Sequence, residues 1–121
     1  MGNSFHGILT DFSGSKVWVT MEDEGKVLEI DGNNGDLLYI YKTMPGSHNL
    51  DTNSDNTKLI DSNIDSNTIS IIDLKTKEVS NIITPGGPEG LLVSSQDGSL
   101  GVSCKQANQI AVIKPKSGII V

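Results

Sequence analysis

The stretch "FHGILTDFSGSKVWVT" (Phe5–Thr20) returns in altered form as "SHNLDTNSDNTKLIDS" (Ser47–Ser62) and again as "PEGLLVSSQDGSLGVS" (Pro88–Ser103). His6 and His48 lie 42 positions apart, and His48 and Glu89 lie 41 apart. The same offsets bring Lys16 onto Lys58 and Ser99, and Val17 onto Leu59 and Leu100. Further along, "GKVLEID" (Gly25–Asp31) falls on "NTISIID" (Asn67–Asp73) and "NQIAVIK" (Asn108–Lys114). The one-residue difference between the two offsets is a change that a surface loop absorbs. A fixed period of this length means that one supersecondary unit is built several times over.

Each unit reads as four short strands. In the first they are "GILTD", "KVWVT", "KVLEID" and "LLYIYKT", and in the second "NLDT", "KLIDS", "TISIID" and "EVSNIIT". The third gives "GLLVS", "SLGVSC", "QIAVIK" and a stub, "GIIV". Val, Ile, Leu and Tyr fill these segments, while Asn, Gly, Ser and Asp punctuate them. In "GNNGD" the Gly and Asn residues supply the positive φ of a tight turn. No window carries helical periodicity, and the apolar runs are those of strands buried on both faces. A four-stranded unit of about 40–45 residues is the period of a β-propeller blade. A solenoid is the rival, but its coils are shorter. The expected fold is all-β: about three four-stranded antiparallel blades of a β-propeller, either partial or completed by oligomerisation. The single domain, 1–121, divides into blade 1 at about 5–46, blade 2 at about 47–86 and an incomplete blade 3 at about 87–121.

Composition narrows the classes of function. The chain of 121 residues has 9 Lys, no Arg and 15 acidic residues, for a net charge of −6, and 36% of it is apolar. A nucleic-acid binder needs a basic patch to replace phosphate counterions, and none is present. The acidic run "MEDEG" (Met21–Gly25) reads as a solvated turn. Cys104 stands alone, so neither an intrachain disulfide nor a cysteine metal cluster can form. No apolar run approaches the ~18 residues of a membrane helix, so membrane insertion is not expected. The N-terminal "MGNSFH" has no signal-peptide pattern, which leaves the compartment open. No Walker loop, GxSxG or HExxH motif occurs, so no catalytic residue is assigned.

"HGILTDFSGSKVWVTMEDEGKVLEIDGNNGDLL" resembles a YVTN-type β-propeller repeat, of the kind found in surface-layer and lactonase-like propellers. "VWVT" (Val17–Thr20) stands for the YVT segment and "SIID" (Ser70–Asp73) for the VID segment, and "GGPEGLLVSSQDGS" (Gly86–Ser99) matches the joint between blades. The resemblance covers nearly the whole chain. Asp61 departs from it where the other units have Val19 and Val102, as does Gly101 in place of Trp18, and the second unit has "SDN" (Ser54–Asn56) for a Gly-containing turn. Rings of this family close at about seven blades, so three blades imply two apolar end faces. The third unit stops inside its outermost strand, which favours a piece of a longer product. The other reading is assembly of copies into one ring, which predicts a discrete dimer or trimer.

The resemblance also places His6, His48 and Glu89 at the start of the innermost strands, near the mouth of a central channel. Imidazoles and a carboxylate converging there could bind a metal, as some redox propellers hold copper or haem iron with channel histidines. Alternatively, these side chains only hydrogen-bond neighbouring blades. Asp61 is a further polar candidate, because an apolar strand must pair, protonate or expose a carboxylate; local exposure in a drifting repeat is the plainer account. "DTNSDN" (Asp51–Asn56) lacks the Gly and Glu of a calcium loop and reads as a turn. Trp18 reads as core between blades and Cys104 as a buried thiol. The expected function is that of a binding scaffold, with a protein or small molecule held at the channel mouth. The alternative is part of a propeller enzyme, lactonase-like or streptogramin-lyase-like, using acidic and histidine residues with a divalent ion. The cofactor and the ligand are unknown from sequence.

Overall fold

The computed structural model describes residues 5–114, and the described residues form eleven strands and no helix. Strands β1 (Phe5–Thr10), β2 (Lys16–Met21), β3 (Lys26–Asp31) and β4 (Leu37–Lys42) form one antiparallel sheet in chain order. Strands β5 (Ser47–Thr52), β6 (Lys58–Asn63), β7 (Thr68–Asp73) and β8 (Val79–Ile83) repeat it. The third sheet is β9 (Pro88–Val93), β10 (Leu100–Cys104) and β11 (Gln109–Ile113). The "GIIV" stub of the third unit lies outside the described residues. The all-β architecture of repeated blades is therefore the one the period implies.

Turn chemistry repeats with the strands. Gly25, Asn67 and Asn108 occupy the same turn position with φ of 62°, 56° and 53°. Asn tolerates this left-handed region better than other residues with a side chain. In the "SDN" turn Asn56 takes φ 58°, so Asn does there what Gly does in the first unit.

The blades stack through alternating strand faces. Trp18 and Thr20 of β2 point towards the second blade, and Leu59, Asp61 and Asn63 of β6 point back. Trp18, Val27 and Tyr41 thus pack with Leu59 and Ile72 in one buried cluster. Ile60 and Ile69 on the other face of the second blade pack with Leu100, Val102, Cys104, Ala111 and Ile113 of the third. The middle blade buries apolar side chains on both faces, Leu59 and Ile72 on one and Ile60 and Ile69 on the other, because both are covered. Blade 1 is similarly apolar on its far face, where Ile8, Val19, Leu28 and Ile40 line up through successive strand pairs. Ile8 and Ile40 are exposed there, as is Leu92 on the far face of blade 3.

Candidate functional site

The three joint residues occupy the same place in the fold. His6, His48 and Glu89 are each the second residue of an inner strand, β1, β5 and β9. Each strand is irregular there: pairing with the adjacent strand is interrupted between Phe5 and Ile8, between Ser47 and Leu50, and opposite Val102–Cys104. Two inner-strand residues therefore face one residue of the neighbouring strand, which is a β-bulge. Those single residues are Thr20, Ser62 and Ser103. Their hydroxyls accept the bulged N–H of Gly7 at 2.6 Å, Asn49 at 3.2 Å and Gly90 at 2.8 Å. A bulge re-aims the side chains beside it, and here these are the joint residues.

The bulges also join the blades. Thr20 Oγ1 donates to the carbonyl of His48 at 2.9 Å, and Ser62 Oγ donates to the carbonyl of Glu89 at 2.9 Å. Gly7 permits the first approach, since a Cβ on it would lie 2.3 Å from the His48 carbonyl oxygen.

His6 and His48 meet across this joint, with ring centroids 3.6 Å apart and planes 24° apart. His48 Nδ1 donates to Glu22 Oε2 at 2.5 Å. One ligating atom from each of His6, Glu22 and His48 lies within 4.8 Å of the other two. His6 is exposed, while Glu22 and His48 are partly buried. Glu22 begins the turn after β2, inside the "MEDEG" run that reads from sequence as solvated. The Glu22 carbonyl accepts the N–H of Gly46, just before β5, at 3.1 Å, and this carries the turn to the start of the next blade. That contact between blades, together with the N–H of Thr43 on the Gly25 carbonyl, brings Glu22 to the histidines, and no local pattern announces it.

Glu89 is not a member of this group. Its carbonyl accepts from Ser62 Oγ and from Asn49 Nδ2, and the residue lines an open cleft with Ser103, Cys104, Lys105 and Asn108. At the second joint, the repeat position of Glu22 is occupied by Ile64, so His48 and Glu89 have no carboxylate between them there.

Asp61 is fully buried, not locally exposed. Burial pushes its carboxyl up to about 7, against the opposing hydrogen bond of the Ser47 hydroxyl. Ser47 Oγ donates to Asp61 Oδ2 at 2.6 Å. Asp61 therefore fastens the start of β5 from below, next to His48. Cys104 is buried, and desolvation raises its thiol, which makes it a poor nucleophile. Trp18 lies in the inter-blade cluster, with its indole N–H on Glu29.

No curated protein matches the chain in sequence. Among solved structures, hydrazine synthase of Kuenenia stuttgartiensis is similar, with a TM-score of 0.87 and 21% identity over 99% of this chain and 34% of that one. Virginiamycin B lyase from Staphylococcus aureus gives 0.85 and 20%, over 100% of this chain and 41% of that one. A putative 6-phosphogluconolactonase from Bacteroides fragilis gives 0.80 and 17%, over 99% and 38%. The chain thus spans between a third and two fifths of these structures, and at such identities the likeness is one of fold. The sequence itself matches the YNCE-like beta-propeller family over residues 7–121, and the chain belongs to that family.

Proposed function

We propose that this chain contributes blades to a propeller whose inner-strand mouth is a binding platform for a protein or a small molecule. One observation carries the reading: the same bulge recurs on β1, β5 and β9, and each time it carries a polar side chain at the second strand position. A scaffold that repeats a backbone distortion while varying the side chain (His, His, Glu) suits selection of a ligand. Cys104, buried with a raised thiol, is not an activated nucleophile.

Two experiments test this. Amide shifts recorded during a fragment screen should cluster at His6, His48 and Glu89; clustering elsewhere overturns the platform. Lactone hydrolysis and streptogramin cleavage, assayed with and without Mg²⁺ or Ca²⁺, should show no turnover above buffer. The enzymatic alternative rests on the fold likeness to virginiamycin B lyase and to the putative lactonase. Turnover abolished by His48→Ala would establish it.

A further inference from the structure

We propose that His6, Glu22 and His48 form a binding site for a divalent transition metal of borderline softness, such as Zn²⁺. The inference deepens the platform reading by naming a ligand for the same mouth, and it fails separately, because its probe is the metal alone and its readout is affinity.

The donor set selects the class of ion. Two imidazoles and one carboxylate suit Zn²⁺, Ni²⁺ or Cu²⁺, whereas Ca²⁺ and Mg²⁺ require mainly oxygen ligands. The spacing suits it too. Ligand bonds of roughly 2.0–2.2 Å around a tetrahedral ion put neighbouring donors about 3.4 Å apart. The group brackets that value, with 2.5 Å between His48 and Glu22 and a ceiling of 4.8 Å across the three donors. Stacked rings point their lone pairs side by side, so one ring must turn to share an ion. His6 is the exposed one and has the room. The ion displaces the proton that His48 Nδ1 gives to Glu22, and that proton leaves to solvent. Three protein ligands leave a fourth position open for an exogenous donor.

The rest of the joint is built to hold this geometry. The backbone of His48 is fixed at its carbonyl by Thr20, and the adjacent Ser47 is held by its hydroxyl on Asp61. Glu22 is tied to the same joint through its carbonyl on Gly46. The two faces of the site therefore come from different blades but cannot drift apart without breaking the joint. The second joint, with Ile64 in place of Glu22, has no such set, so one site per chain is expected.

Isothermal titration of the full chain with ZnCl₂ alone tests the proposal. The expected result is one site per chain, weakened at least ~10-fold by Glu22→Gln and by His48→Ala, a loss no smaller than that of removing an outer-shell partner. Glu89→Gln should leave the affinity unchanged. Glu22 sits on a turn, so Glu22→Gln keeps the fold, which thermal melting of the variant verifies. Cu²⁺ bound to the chain should show two nitrogen couplings in its electron paramagnetic resonance spectrum, falling to one in His6→Ala. Absence of a Zn²⁺ site, a site indifferent to Glu22→Gln, or equal loss with Glu89→Gln overturns the proposal.

Discussion

Thr20 Oγ1 donates to the carbonyl of His48 across the first blade joint at 2.9 Å and, on the same atom, accepts the N–H of Gly7 at 2.6 Å. Ser62 does the same for Glu89 and Asn49 at the second joint. One hydroxyl thus fills a bulge and locks it to the next blade. Thr20→Val keeps the shape and removes both bonds, leaving a buried N–H unmet. It should destabilise the chain by about 1–3 kcal/mol, and Ser62→Ala by a similar amount. Ser103 is exposed and holds only the N–H of Gly90, so Ser103→Ala should stay within about 0.5 kcal/mol. Urea unfolding followed by Trp18 fluorescence measures all three. Equal losses at the three positions would show that the bulge, not the joint, carries the energy.

Gly7 sets how closely β1 and β5 approach. A Cβ at Gly7 would sit 2.3 Å from the His48 carbonyl oxygen and 3.2 Å from Thr20 Oγ1. Both obstacles belong to the joint itself, so Gly7→Ala must push the inner strands apart. The expected cost is about 1–3 kcal/mol, as for overpacking in a closed site. The His6–His48 stack should open as well, which the imidazole proton shifts would report. Unchanged shifts with unchanged stability would mean that the joint is loose enough to absorb a methyl group.

Much of this was legible from the repeat alone. The offsets that align His6, His48 and Glu89 hold because each is the second residue of an inner strand, and the strand spans follow the apolar runs to within a few residues. What the pattern could not give was contact between blades. Glu22 sits in an acidic run that looks solvated, and only stacking one blade on the next carries it to His48. Asp61 was legible as costly but not as buried, because its partner Ser47 belongs to another strand and its other neighbours come from the joint. The hydroxyls of Thr20, Ser62 and Ser103 align as well as the histidines do. Small hydroxyl residues are common in strands, however, so their alignment carries no meaning until the bulges are seen.

The Glu29 carboxylate is buried beneath Trp18 and Tyr41. It accepts from Trp18 Nε1 at 3.1 Å and from Tyr41 Oη at 2.9 Å, with Lys16 Nζ 3.6 Å away. Burial alone would raise its pKa, but the two hydrogen bonds and the charges of Lys16 and Lys77 hold it below the usual value. A depressed carboxyl stabilises the fold above its unfolded pKa, and that contribution is lost as pH falls through the folded value. Wild-type stability should therefore drop below about pH 4.5 more steeply than that of Glu29→Gln. At pH 7, Glu29→Gln should cost about 1–3 kcal/mol, since charge-assisted bonds become neutral ones. Trp18→Phe tests the same bond from the donor side and should reduce the acid sensitivity. Parallel pH curves for wild type and Glu29→Gln would show that the fold leaves the pKa of this carboxyl unshifted.

Asp61 titrates in the opposite sense. Its folded pKa is raised to about 7 by burial, so between roughly pH 4 and pH 7 the folded chain holds a proton that the unfolded chain has released. Stability tied to this group is fully present below the unfolded value, declines as pH rises to about 7 and is flat above it. Asp61→Asn keeps a neutral side chain of the same shape and can still accept from Ser47. Relative to wild type, the variant should gain stability as pH rises from 4 to 7, by on the order of a few kcal/mol. At pH 4 the two should differ little. Asp61→Val restores the residue type of the equivalent positions Val19 and Val102 but leaves the Ser47 hydroxyl only its longer bond, 3.3 Å to the Lys26 carbonyl, so it should be less stable than Asp61→Asn at every pH. Melting temperatures of the three proteins from pH 4 to pH 8 decide the matter. A wild-type curve that runs parallel to that of Asp61→Asn would mean that Asp61 stays charged in the joint. The hydrogen bond from Ser47 and the rest of its surroundings would then offset its desolvation.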